Sequence, residues 1–197
     1  MTENVSTKCV VGEVRLSYVH IFKPEAVEEG GDKKYSVSII IPKSDTKSLE
    51  KIKAAIKAAA QAGKAKIGST PQAKIRIPLR DGDLERPDDD AYANAYFINA
   101  NSTRKPGIVK KVKIDGENRL VEITNEEEVY SGCYAYVSLN FFVYAQRGNV
   151  GIGAGLNNVL KARDGSYLGG RVSAETDFSD IDLDSVADET TEEDDLI

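Results

Sequence analysis

The strictest alternation of apolar and polar positions runs through CYAYVSLNFFVY. Cys133, Ala135, Val137, Leu139, Phe141 and Val143 fall on one side of a strand; Tyr134, Tyr136, Ser138, Asn140, Phe142 and Tyr144 fall on the other. The first set suits a core. The second is aromatic and polar at once. GCYAYVSLNFFVYAQ is the longest strand signal, and NVGIGAGLNNVLKA reads as its partner across an RGN hairpin turn. YSVSIIIP alternates too, with Tyr35, Val37, Ile39 and Ile41 on one face and Pro42 at its end. Lys8 to Phe22, rich in Val, Leu, Tyr and Ile, predicts a strand broken or bulged near Gly12. A different period governs SDTKSLEKIKAAIKAAAQAG. Leu49, Ile52, Ile56, Ala59 and Ala60 recur at helical spacing, Ser44 or Asp45 caps the start and Gly63 suits the end, so a helix is expected near residues 45–62.

Between these elements the pattern weakens. Residues 64–90 read as loop, with only AKIRIP resembling a short strand. AYANAYFINAN and GIVKKVKI read as strands joined by the turn STRKPG, and residues 115–129 are polar without a clear period. Several uneven strands and one clear helix indicate a β-rich α+β domain, either a small barrel or a curved sheet. Residues 1–176 form the expected domain. Residues 177–197 lack the apolar content to offset the cost of ordering and are expected to be a disordered acidic tail.

Charge sharpens that division. Of 32 acidic residues, 11 lie in Val172–Ile197, where no Lys or Arg occurs; the other 21 face all 26 basic residues, leaving the body five charges positive. Such asymmetry suits a protein that offers one surface to a polyanion and another to a partner. No stretch approaches the roughly 18 apolar residues of a membrane span, and a soluble intracellular protein is expected. Cys9 and Cys133 match no metal or redox spacing and read as reduced thiols.

Rings on an exposed strand can be an ordinary sheet surface under a loop, or a platform on which bases stack at ~1–3 kcal/mol each beside cations that hold phosphates. The cations are near: Arg104, Lys105, Lys110, Lys111 and Lys113 follow the AYANAYFINAN strand, whose Tyr92 and Tyr96 are expected on one face, and Arg147 follows the aromatic strand. The run DGDLERPDDD, with Asp81, Asp83, Asp88, Asp89 and Asp90, invites a metal-dependent nuclease, but Arg86 and Tyr92 stand where a calcium loop needs Gly and Glu. Arg80 and Arg86 among these acids suit internal ion pairs that shape a loop, or phosphate contacts at its rim. His20 has no nucleophile patterned with it, and GIGAG lies in a strand, so its glycines point to bending or close backbone approach and not to a dinucleotide site. No cofactor is expected.

The blocks RLSYVHIFKPEAVEEGGDKKYSVSIIIPKSD, PLRDGDLERPDDDAYANAYFINANSTRKPG, VYSGCYAYVSLNFFVY and GIGAGLNNVLKARDGSYLGGR, followed by the acidic end, resemble a family of bacteriophage single-stranded DNA-binding proteins over residues 10–178. The resemblance implies an OB-fold-like five-stranded barrel with insertions, no enzymatic activity, sequence-independent ssDNA binding, and a role in phage DNA replication, recombination or repair in the cytoplasm of the infected bacterial host. The residues themselves nominate a groove of Tyr96, Tyr134, Tyr136, Phe142 and Tyr144 with Arg104, Lys105, Lys110, Lys111 and Arg147. They also nominate Asp194, Asp195, Leu196 and Ile197 as a partner-binding end, on a tail long enough to compete with DNA at that groove. A homo-oligomer is left open. The competing readings are a nuclease built on Asp81–Asp90 and a phage adaptor whose aromatic face binds protein.

Overall fold

The computed structural model describes residues 6–26, 30–146, 148–169 and 178–182. Its strands are β1 (Lys8–Glu25), β2 (Lys34–Pro42), β3 (Arg80–Asp81), β4 (Ala95–Ser102), β5 (Gly107–Ile114), β6 (Glu117–Glu122), β7 (Tyr134–Gln146) and β8 (Asn149–Arg163), joined in the order β3-β4-β2-β1-β7-β8-β5-β6. A parallel pairing of Asn101 with Gly155 links β4 to β8 and closes β4, β2, β1, β7 and β8 into a five-stranded barrel. Closure removes the open edges that five strands of this length would otherwise expose.

The barrel interior follows the alternation. Cys133, Ala135, Val137, Leu139, Phe141 and Val143 of β7 are all buried, together with Val37, Ile39 and Ile41 of β2. On β1 the register shifts between Val11 and Val14 and again between Ser17 and His20. The first shift keeps Val11, Val14 and Leu16 inside despite their uneven spacing. The second falls at Tyr18, held at a φ of 47° and turned outward, as bulges turn side chains.

Helix α1 (Thr46–Ala62) begins where Asp45 accepts a hydrogen bond from the Ser48 amide at 3.1 Å. Its Leu49, Ile52, Ile56 and Ala59 join the barrel core against β1 and β7. Gly63 caps its end, donating its amide to the Ala59 carbonyl at 2.8 Å, at a position where a Cβ would lie 2.3 Å from Val143. The expected loop 64–90 contains two short helices, α2 (Lys64–Ile67) and α3 (Gly82–Glu85), and strand β3.

Two expectations are corrected. STRKPG is no reversing turn: β4 and β5 are both parallel to β8, lying along the same edge at Gly155 and then Asn158–Lys161, so residues 103–106 bow outward and the chain continues in its original direction. The patternless stretch after Asp115 contains β6, which pairs with β5 through a two-residue turn. Asp115 and Gly116 both have positive φ, 51° and 84°, the geometry that suits a tight hairpin.

Candidate nucleic-acid interface

The outward face of β7 lies between β1 and β8, and glycine on those neighbours determines how its rings rest. Phe142 is paired with Gly153 and Tyr144 with Gly151. A Cβ at Gly153 would stand 2.9 Å from Phe142 Cζ, and one at Gly151 would stand 2.6 Å from the Tyr144 hydroxyl. Tyr136 lies against Gly12 of β1 in the same manner, at 2.7 Å. Each ring therefore lies across the adjacent backbone, where any larger residue would push it off. This is the close approach that GIGAG indicated, made by side chains and not by another strand. Phe142 and Tyr136 remain 45% and 41% exposed.

Beside Phe142 the outward bow of residues 103–106 encloses a cleft of about 580 Å³, lined by Lys34, Asn101, Arg104, Lys105 and Phe142 among others. Three of the nominated residues, Phe142, Arg104 and Lys105, thus meet at one place. Lys34 and Asn101 also line a second cleft, of about 530 Å³, over the outer face of β2 and β4. Ser36, Ser38 and Asn99 line it, and Tyr18, 52% exposed, stands at its side with Arg86. The Arg86 guanidinium sits 5.2 Å from the Tyr18 ring centre and donates to its hydroxyl at 3.2 Å. Arg76 adds an exposed cation: its Cβ is 2.9 Å from the position a Gly151 Cβ would take, next to Tyr144. The shared lining makes one polar, cationic and aromatic track across the barrel wall. His20 and Glu25 also line it, paired at 3.0 Å.

The rest of that wall is covered. Residues 80–93 fold over β2 and β4, burying Ile40, Tyr92, Ala95 and Phe97 in a small second core. Tyr92 meets Phe97 edge-on at 5.1 Å and its hydroxyl donates to Ser38 Oγ at 3.0 Å. Arg86 and Arg80 lie 5.4 and 4.8 Å from the Phe97 ring centre. The acids of this block shape it. Lys43 Nζ reaches Asp81 at 2.8 Å and Asp83 at 2.7 Å, Arg80 pairs with Glu85, and the Asp81, Asp83 and Asp89 carboxylates accept from backbone amides. Lys43, with help from the Asn94 amide, holds the Asp83 carboxyl below the usual carboxylate range; both carboxylates in turn push the Lys43 ammonium up. Among the described residues no group of three or more His, Cys, Asp or Glu side chains is placed to hold a metal.

Other nominated residues go elsewhere. Tyr96 points to the inner side of β4 and packs on the main core beneath Lys43, 5.1 Å from its ring centre, while Tyr92 belongs to the second core; the two do not share a face. Lys110 and Lys111 are neighbours on one strand and so face opposite ways. Lys110 pairs with Glu128 beside the buried Ile108, whereas Lys111 is exposed on the side of Val109, which continues the outer face. Tyr134 is half-buried between Arg163, 3.6 Å from its ring centre, and Arg15 at 5.9 Å. Arg147, Asp194, Asp195, Leu196 and Ile197 lie outside the described residues. Burial pushes the Cys9 thiol up to about 11 and raises that of Cys133 as well, so both stay protonated at neutral pH.

Lys34, Tyr18, Arg76, Asn99 and Asn101 were not foreseen; Arg86, expected as an internal ion pair or a phosphate contact at the rim of its loop, lines this cleft against Tyr18. The polar beat of Ser36, Ser38, Asn99 and Asn101 along two strands was legible as an outward face; the Tyr18 bulge carried no local signal, whereas the single parallel bridge of Arg76 to Gly151 falls within AKIRIP, the stretch that resembles a short strand.

A closed five-stranded barrel with this strand order, β4 parallel to β8 where it closes, defines an OB-fold protein with an open aromatic wall. The chain belongs to the family described as the Enterobacter phage Enc34 ssDNA-binding protein, which matches residues 7–196. A relative named putative protein p50, from Acyrthosiphon pisum secondary endosymbiont phage 1, is 31% identical over 186 residues, covering 89% of this chain and 95% of its own. Among solved structures, the single-stranded DNA-binding protein of bacteriophage Enc34 in complex with ssDNA superposes with a TM-score of 0.69 at 26% identity, covering 83% of this chain and 90% of that one. The single-stranded DNA-binding protein gp2.5 of bacteriophage T7 shares the fold, with a TM-score of 0.55 at 14% identity, over 84% of this chain and 97% of that one.

Proposed function

We propose that this protein binds single-stranded DNA without sequence preference and protects it during phage DNA replication, recombination or repair. The observation that carries the reading is the open wall on which Phe142 lies across Gly153 at the mouth of the Arg104–Lys105 cleft. A ring held flat and half exposed offers a stacking surface to any base, and cations at its edge meet the backbone that every sequence shares. Bases of a duplex are already stacked on one another, so such a wall favours the single strand. The relative solved with ssDNA supports this assignment. Nothing in the mechanism requires bond making or breaking: the wall holds the strand, and the engagement of Asp81 and Asp83 by Lys43 and backbone amides argues against using them as metal ligands. The acidic segment 177–197 is assigned to recruitment of replication or recombination proteins, through Asp194, Asp195, Leu196 and Ile197, in the cytoplasm of the infected bacterial host.

The test is a titration with labelled oligo(dT) and a length-matched duplex at two salt concentrations, with and without EDTA. Preference for the single strand without cleavage is expected. Neutralising about four phosphates weakens binding by roughly 600-fold per tenfold rise in salt, and Arg104→Ala with Lys105→Ala lowers that slope by about 0.7 for each phosphate left without its cation. Equal affinity for the duplex, or cutting that EDTA stops, overturns the reading.

A further inference from the structure

A third groove shares no lining residue with the two clefts of the candidate interface. It measures about 630 Å³ and runs between α1 and the segment after α2. Its walls are mainly aliphatic, with Ile56 on the helix, Ile67, Ile75, Ile77 and Leu79 opposite and Ile152 from the barrel; Thr70 and Gln72 are the polar residues among them. Ile77 is 49% exposed although it faces this apolar surface. Lys53 and Lys57, one turn apart on α1, form its rim, both exposed. Neither makes an ion pair among the described residues.

An aliphatic floor edged by two free ammonium groups selects an occupant that joins aliphatic side chains to acids. The chain's own segment Glu192–Ile197, EEDDLI, has that composition, with four acids leading into Leu196 and Ile197 and no cation. We propose that this segment docks in the groove of the same molecule, with Leu196 and Ile197 on the isoleucine floor and Asp194 and Asp195 facing Lys53 and Lys57. Its reach is ample. From Gly169 to Glu192 the chain can extend by roughly 75 Å, several times the radius of gyration of about 16 Å expected for the body. Tethering holds the segment near the groove at an effective concentration on the order of millimolar, so even a weak contact is populated. Docking shelters the two aliphatic residues and keeps the acids off the aromatic wall. It therefore differs from competition between tail and DNA on that wall, and it stands whether or not the strand-binding reading holds.

The experiment records amide and isoleucine-methyl NMR spectra of the full chain before and after Leu196→Asp with Ile197→Asp, changes that leave the body untouched. The expected result is a shift of the Ile56, Ile75, Ile77 and Ile152 methyls that persists on dilution. Lys53→Glu with Lys57→Glu releases the segment, so adding the tail changes to that variant moves these signals no further. The proposal is overturned if the shifts fall instead around Lys34, Asn101 and Phe142, which places the segment on the aromatic wall. It is equally overturned if they vanish on dilution, which makes the occupant a second copy, or if no signal moves.

Discussion

Two stretches of the barrel's outer wall carry the same kinds of side chain and meet opposite fates. Over β2 and β4, Phe97 and Tyr92 are completely buried, with arginines laid against their rings. Over β7 and β8, Phe142 and Tyr136 are nearly half exposed. The difference lies in what crosses above and beneath them. Residues 80–93 are pinned over the first stretch by Lys43 bridging to Asp81 and Asp83 and by carboxylates that accept from the loop's own amides. No described segment covers Phe142, and glycines on β8 leave room for the ring and nothing else. An aromatic residue on an outer strand face thus becomes core or platform according to the segment above it, not according to its own type.

The sharpest break of this comparison is Phe97→Ala. It leaves a cavity in a closed core and is expected to cost about 3–5 kcal/mol of unfolding free energy in a denaturant titration. Phe142→Ala removes a ring that is already nearly half exposed, so its stability change should stay within about 1 kcal/mol. Comparable losses from the two would show that the wall over β7 is covered after all. The next effect belongs to binding. Phe142→Ala is expected to weaken oligo(dT) binding by about 1–3 kcal/mol, the range for one stacked base, and undiminished affinity would remove this ring from the site.

Gly153→Val tests the floor beneath the ring. The new Cβ, 2.9 Å from Phe142 Cζ, forces an exposed ring to lift. The fold should survive while ssDNA affinity falls by about 1 kcal/mol, near the lower end of the stacking range. A severe loss of stability would instead show that the ring cannot move. The smallest effect concerns the cover. Because Lys43 lowers the Asp83 carboxyl in the folded state, their contact contributes its full stability above the ordinary Asp value of about 4 and loses it as pH falls through the depressed folded value. Hydrogen exchange of residues 80–94 should accelerate in that acid window before the β7 amides respond, and simultaneous acceleration would deny the cover its separate anchorage.

Much of this architecture was legible. The alternation from Cys133 to Tyr144 became a buried face and an outward one, and the Asp45 cap and Gly63 stop bounded the helix. The Asp115–Gly116 pair was a readable hairpin turn that the polar surroundings of β6 obscured. The site was harder. Arg104 and Lys105 reach Phe142 only because β4 and β5 run the same way along β8 and the chain between them must bow out. Tyr96 was drawn to the wrong side because a tyrosine with its hydroxyl near the surface and its ring on the core has the same sequence signature as one facing outward.

Sequence by itself determined the elements and their two-sidedness, since strand and helix periods are properties of neighbouring residues. It also determined the charge division between body and acidic end, which is a matter of counting. Tertiary structure alone decided which outward face stayed open. That depended on a barrel closed between Asn101 and Gly155, a bulge that turned Tyr18 outward, and a loop held down by a lysine some 40 residues away. Those contacts join positions far apart in the chain, and no local period records them.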